Sequence, residues 1–420
     1  MRIVYILLAR LAVPFAFATV LWRGFSDRVY WERLGERFGF GDARLAEPSI
    51  WVHAVSVGEV QASAALVRAL RARYPAIPLV LTTVTPTGWA LAKSLFGDTI
   101  EYSYAPYDLP GSVRRFFDRT RPRLAIILET ELWPTLYHEC GKRNIPLVLA
   151  SARISPRSVS RYRLLVSLFR QTLSNGIVIA AQSESDAERF RSIGANPART
   201  HVTGNIKFDF QIPSALVADG RTLRAVYAGG RPVWIAGSTH PGEEDIVLDA
   251  HVRVMANVRD ALLILVPRHP NRFDDAAANL KRRALTFVRR SRDRSAAPSA
   301  QVLLVDTLGE LMTFYAAADI AFVGGSLVRV GGHNLLEPAA LGLPILSGPN
   351  TFNAESIARL LIEVGAVRTV RDPQELGDGV SGFLRDPAAR REAGERGRAT
   401  VEANRGALER LLALIAPLMS

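Results

Sequence analysis

From residue 49 onward, short apolar and β-branched runs alternate with stretches of helical period, and little else lies between them. Ser49–Val55 has the pattern of a buried strand, and Val60, Ala64, Val67 and Leu70 then fall on one face of a predicted helix, Glu59–Arg73. The same alternation predicts strands at Leu79–Val84, Ile100–Ala105, Leu124–Leu128, Pro146–Ala150, Ile177–Ala181 and His201–Thr203. Helices are predicted at Thr87–Phe96, Gly111–Asp118, Trp133–Cys140, Arg157–Leu173 and Glu184–Ser192. Repeated strand–helix units with short turns imply a parallel sheet covered on both faces, with right-handed crossovers.

Residues 211–230 interrupt the alternation, so a domain boundary is expected there, with a first α/β domain over 23–215 and a second over 216–420. The second series has strands at Trp234–Ala236, Leu262–Val266, Thr286–Val288, Val302–Val305, Ile320–Val323 and Pro344–Leu346. Helices follow from Gly242, Asn271 and Gly309, over Asn334–Leu341, and after Thr351; helical segments from Pro373 to Leu418 end the chain. The expected fold class is α/β: two Rossmann-like domains with a cleft between them.

The first 22 residues do not share this pattern. Ile3–Trp22 is nearly all apolar, broken by Arg10, Pro14 and Thr19, and Arg23, Arg28, Arg33 and Arg37 follow it. Ala16-Phe17-Ala18 formally matches a signal-peptide cleavage site, but Arg10 interrupts the apolar core and the run continues past the site. Residues 1–22 therefore read as a membrane anchor, spanning or lying in the interface, with the flanking positive charge keeping the body on the cytoplasmic side.

Composition narrows the function classes. A chain of 420 residues exceeds one ordinary core, and its 48% apolar and 22% charged residues are globular values. A net charge of +12 attracts polyanions, whether nucleic acid, anionic membrane or phosphorylated substrate. Aromatic and basic residues are not interleaved as on a single-strand stacking platform, which argues against nucleic acid. Cys140 is the single cysteine, so no intrachain disulfide forms, and with only His138 nearby it is expected to be structural.

The chemistry is expected at strand-to-helix turns, where ligands bind in open α/β sheets. His53-Ala-Val-Ser-Val-Gly-Glu59 places Glu59 in the first turn of a helix, where a carboxylate also serves simply to complement the macrodipole. Leu128-Glu-Thr-Glu-Leu-Trp-Pro134 ends a strand with Glu129 and Glu131, which would share a face on an extended backbone. Gly204-Asn-Ile-Lys207-Phe-Asp209 offers a cation at the last strand end of the first half. Ser151-Ala-Arg153, with Arg157, Arg161 and Arg163, forms a basic stretch. In the second half, Pro267-Arg268 ends a strand, Leu308-Gly309-Glu310 starts a helix, and Phe322-Val-Gly-Gly-Ser326 precedes Gly331-Gly-His-Asn-Leu-Leu-Glu337. Glycines there would let backbone approach a ligand, and a helix start at Asn334 would face an anion. There is no Asp-x-Asp pair, no His-Glu-x-x-His and no zinc spacing, so no metal is expected.

Taken together, HAVSVGE, TPTG (Thr85–Gly88), PYDLP (Pro106–Pro110), ETELWP, SARIS, GNIKFD, GSTHPGEE, PRHPNRF, GELM and FVGGSLV-x-x-GGHNLLEP resemble the 3-deoxy-D-manno-octulosonic acid (Kdo) transferases of lipopolysaccharide synthesis. The resemblance runs from the apolar N-terminus to the last helix. It implies a glycosyltransferase B fold, CMP-Kdo as donor rather than any cofactor, and a lipid A precursor (lipid IVA) at the cytoplasmic face of the inner membrane as acceptor. It further implies inverting transfer with Glu59 as general base and with Glu129 and Lys207 assisting the transition state. Pro267, Arg268, Leu308, Gly309, Glu310, Asn334, Leu335, Leu336 and Glu337 would bind CMP, whose phosphate would meet Arg268, Lys207 and the helix start at Asn334. Two rival readings are a soluble nucleotide-sugar epimerase of similar fold and a non-catalytic protein that binds anionic membranes.

Overall fold

The structure is a computed structural model that describes residues 2–41, 44–129, 131–156, 158, 159, 170, 173, 176–293 and 299–419. It divides into two compact units: residues 1–210 with 404–420, and residues 211–403. The expected helix Arg157–Leu173, with Arg157, Arg161 and Arg163, lies almost wholly outside the described residues.

The first unit is built on a sheet of β1 (Ser49–His53), β2 (Leu79–Thr83), β3 (Glu101–Tyr104), β4 (Pro122–Leu128), β5 (Leu147–Ala152), β6 (Val178–Ala181) and β7 (Thr200–Val202). Their order is β3-β2-β1-β4-β5-β6-β7, and every pairing is parallel. Alternation along each strand fills both faces. Ile50, Val52, Leu81 and Ile126 face one core; Trp51, Val80, Ala125 and Ile127 face the other. Burial on both sides is why these strands read as unbroken apolar runs. The chain leaves β1 toward β2 and β3, then returns to place β4 on the other side of β1. The carboxyl ends of β1 and β4 thus flank a topological switch point, with His53 registered against Ile127.

The second unit repeats the plan with β8 (Val233–Thr239), β9 (Leu262–Pro267), β10 (Phe287–Arg289), β11 (Val302–Leu304), β12 (Ile320–Val323), β13 (Ile345–Ser347) and β14 (Val367–Thr369). The order is β10-β11-β9-β8-β12-β13-β14, which puts the switch point between β8 and β12. The edge strand β14 was not expected from the sequence.

The structure corrects the expected domain limits. The units divide after Phe210, not after residue 215, and residues 211–230 contain a helix, Ser214–Tyr227, packed on Leu311–Ala317. Gly220 permits that packing, because a Cβ there would lie 2.6 Å from the Ala316 Cβ. Residues 404–420, expected in the second domain, return to the first. Helix Ala407–Ile415 buries Leu411, Leu412 and Ile415 in the first unit's core, each worth about 1.5–3 kcal/mol. Asp209 fixes its start by accepting N–H from Gly406 at 2.6 Å and from Leu408.

The N-terminal helix covers Arg2–Ser26, four residues beyond the expected anchor, and is long and apolar enough to cross a membrane. Cys140 is buried and unbonded, and burial pushes its thiol well above the usual range.

Candidate active site

The turn after β1 is organised by Ser56 and Glu59. Ser56 caps helix Val57–Arg73 by accepting the Glu59 N–H at 3.4 Å, while Glu59 reaches back to accept the Val55 N–H at 2.8 Å and the Ser56 hydroxyl at 3.2 Å. This is close to a capping box, displaced by one residue. The carboxyl therefore does serve the helix end, but its electrostatics are not those of a surface cap. Burial, then the negative charge of Glu129, pushes its pKa up to about 7.

Glu129 sits opposite, at the end of β4, with φ at +57°. A left-handed backbone at a non-glycine residue costs about 1–2 kcal/mol, and it ends the extended run on which Glu129 and Glu131 were expected to share a face. Glu129 instead bonds Lys207 Nζ at 2.6 Å through Oε1 and Arg153 Nε at 2.8 Å through Oε2. Burial opposes its ionisation, but these two cations hold its pKa below the ordinary value. Glu131 takes a different partner, accepting the Trp133 indole N–H at 2.5 Å.

Lys207 is held in place by its neighbours. Asn205 accepts the Lys207 N–H at 2.9 Å, and Ser151 accepts the Ile206 N–H at 3.0 Å. Ser151 is left-handed too, with φ +49°, at a register shift between β5 and β6. Glu59, Leu128, Glu129, Ser151, Asn205, Ile206 and Lys207 line one small pocket. The three catalytic residues expected from sequence are thus brought together, and Ser151, Arg153 and Asn205 join them. His53 does not: it is buried, its Nδ1 lies 2.8 Å from Thr82 Oγ1, and desolvation pushes its pKa down to about 4.

In the second unit, the loops after β8, β9 and β12 carry a cluster of imidazoles. His240 Nε2 lies 2.8 Å from His333 Nε2 with the rings nearly parallel, and the His269 ring meets His240 edge-on at 5.4 Å. All three pKa values are lowered by burial and by the Arg268 guanidinium, that of His333 to about 4. Arg268 is exposed, with no hydrogen bond or ion pair from its side chain among the described residues. Glu337 is largely buried; desolvation raises its pKa, and Asn334 Nδ2 donates to it at 3.0 Å.

Three expectations for this region change. The N–H groups of Gly325, Ser326 and Leu327 are already bonded to the buried Glu243 carboxylate, at 2.7, 3.1 and 2.9 Å, with His240 N–H at 3.2 Å. This glycine turn therefore holds an internal anion. Gly324 is required there, since a Cβ would lie 2.5 Å from Ser238 O. The helix expected over Asn334–Leu341 spans only Leu336–Ala340, too short for a strong dipole, and the side chains of Leu335 and Leu336 are core. Leu308 is exposed and Gly309 is left-handed, whereas Glu310 is held by Arg290 at 2.8 Å and by the Thr307 hydroxyl. Among the described residues no three His, Cys, Asp or Glu side chains gather as metal ligands.

A family model described as 3-deoxy-D-manno-octulosonic-acid transferase matches residues 32–210, and one described as glycosyl transferase-like matches residues 303–416. A 3-deoxy-D-manno-octulosonic acid transferase of Haemophilus influenzae is 43% identical over 391 residues, covering 92% of this chain and 92% of its own length. One from Bordetella pertussis is 39% identical over 424 residues, covering 98% of each. The solved structure of a UDP-GlcNAc 2-epimerase from Neisseria meningitidis superposes with a TM-score of 0.58 over 88% of this chain and 100% of its own; at 12% identity it speaks for the fold alone.

Proposed function

The chain belongs to the Kdo transferase family, and from that premise we propose that it moves Kdo from CMP-Kdo to a lipid A precursor, lipid IVA, with inversion and without a metal. In this reading the chain acts at the cytoplasmic face of the inner membrane, attached through its N-terminal helix. Glu59 takes the proton of a primary hydroxyl on the acceptor's glucosamine disaccharide. That oxygen attacks the anomeric carbon of Kdo, a C–O bond forms, and the bond to CMP breaks with its electron pair leaving on the phosphate.

The observation that carries this reading is the Glu59 carboxyl, with a pKa of about 7, in one pocket with the Glu129–Lys207 pair. A base poised near the working pH combines a populated carboxylate with enough basicity to take a proton. Glu129 and Lys207 assist by fixing charge around the developing transition state. Arg268, a guanidinium without an internal partner among the described residues, meets the CMP phosphate. Pro267, Leu308–Glu310 and Asn334–Glu337 complete the nucleotide contacts, Leu335 and Leu336 through their backbone. The net charge of +12 and the exposed arginines suit a phosphorylated lipid in an anionic membrane. Incubation with CMP-Kdo and lipid IVA in the presence of a chelator tests the proposal: the product gains the mass of Kdo, and an unchanged acceptor would remove it.

A further inference from the structure

Helix Arg2–Ser26 has two faces that differ in what they touch rather than in polarity. On the inner face, the Tyr5 hydroxyl donates to Asp108 Oδ2 at 2.7 Å. Asp108 also accepts the N–H groups of Thr135 at 3.0 Å and Leu136 at 2.8 Å, at the start of helix Pro134–Lys142. Phe17 meets Phe38 edge-on at 5.2 Å. The Trp31 indole N–H donates to the Leu21 carbonyl at 2.9 Å, and its ring lies so close over Gly24 that a Cβ there would sit 1.8 Å from it.

The helix is therefore fixed to the folded unit from Tyr5 to Phe17, and the Trp31 turn folds back on its last part. At about 1.5 Å per residue the stretch from Tyr5 to Phe17 is roughly 18 Å long, more than half of a bilayer's hydrocarbon core of about 30 Å. A helix crossing a bilayer over this length would draw Asp108, Phe38 and the start of Pro134–Lys142 into the hydrocarbon with it. The outer face is a continuous apolar row: Ile3, Leu7, Leu11, Phe15, Trp22 and Phe25 are 75%, 53%, 68%, 77%, 72% and 79% exposed. Such a row calls for a cover, and exposed Arg10, Arg23 and Arg28 beside it select an anionic one.

We propose that Arg2–Ser26 lies in the plane of an anionic bilayer, its outer row immersed and its inner face clamped to the first unit, and does not cross the membrane. This placement rests on the membrane attachment proposed above. It presents the first unit side-on to the headgroups, where a lipid acceptor resides.

Spin labels on Ile3→Cys, Leu11→Cys and Trp22→Cys in the full chain, bound to phosphatidylglycerol vesicles, test it; the buried Cys140 stays unlabelled. All three labels are expected at one shallow depth, about 5–10 Å below the headgroups. A depth that peaks at Leu11 and falls toward Ile3 and Trp22 would overturn the in-plane placement and leave membrane attachment standing. The variant Leu7→Glu/Phe15→Glu is expected to keep its circular dichroism and lose vesicle binding by roughly tenfold or more. No vesicle binding by the parent chain, with a lipid-free dimer that this variant dissociates, would overturn both the placement and the attachment.

Discussion

Lys207 Nζ bonds Glu129 Oε1 at 2.6 Å across 78 residues of sequence, joining the turn after β7 to the end of β4. Arg153 holds the second oxygen of the same carboxylate, so one negative charge is shared by two cations beside Glu59. The left-handed backbone at Glu129 and at Ser151 is what lets these side chains converge, and strain of this kind clusters at functional sites.

Removing one partner of a buried pair strands the other charge. Lys207→Met is expected to destabilise by ~2–3 kcal/mol, somewhat less than the usual cost of breaking a buried pair, because Arg153 remains. In urea titrations, Lys207→Met/Glu129→Gln is expected to lose less than the sum of the single variants. Full additivity would mean that the pair is not coupled.

Glu59 acts as a base only when ionised, so turnover should rise with pH through about 7. Glu129 contributes to that high value through its charge. Glu129→Gln removes the charge and leaves Lys207 and Arg153 in place, so the acidic limb of the kcat profile is expected to move to lower pH. An unmoved limb would detach Glu129 from Glu59.

The same group governs stability with the opposite sense. The folded-state pKa of Glu59 lies above its ordinary value of 4.5, so between 4.5 and about 7 the folded chain binds more protons than the unfolded one. Its contribution to stability falls as pH rises through this window. Glu59→Gln is therefore expected to raise Tm relative to the parent at pH 8 more than at pH 5. The ceiling on that gain is ~3 kcal/mol, and it is read by thermal melts at the two pH values.

Arg268→Ala is expected to weaken CMP binding by ~10–100-fold, the loss of one charge-assisted hydrogen bond, as read by titration calorimetry. Because Arg268 lowers the pKa values of His240, His269 and His333, the same variant should shift their NMR titrations upward. Imidazoles that titrate unchanged would place Arg268 away from the cluster.

Much of this was legible from periodicity. Ile320–Val323 and Glu184–Ser192 coincide with the expected elements, because a parallel strand buried on both faces reads as an unbroken apolar run and helical period sets in soon after it. The Glu59 turn is readable for the same reason, since the strand pattern of Ser49–Val55 gives way to helical period from Val60. The return of residues 404–420 was not. An amphipathic helix such as Ala407–Ile415 declares a buried face but not which sheet covers it. Glu243 was missed as the occupant of the glycine turn, since a first-turn carboxylate looks alike whether it faces solvent or four N–H groups. Nothing in the residue types at Glu129 and Ser151 announced their left-handed backbones. The edge strand β14 buries only Val367 and exposes Arg368 at its centre, so it shows no apolar run.

The central claim is that Glu59 is the base. Single-turnover measurement of Kdo transfer by Glu59→Gln, alongside CMP affinity by calorimetry, tests it most directly. A lost general base costs about 100- to 10,000-fold in rate, so transfer is expected to fall by that factor with CMP affinity unchanged. Transfer within about tenfold of the parent would contradict the assignment.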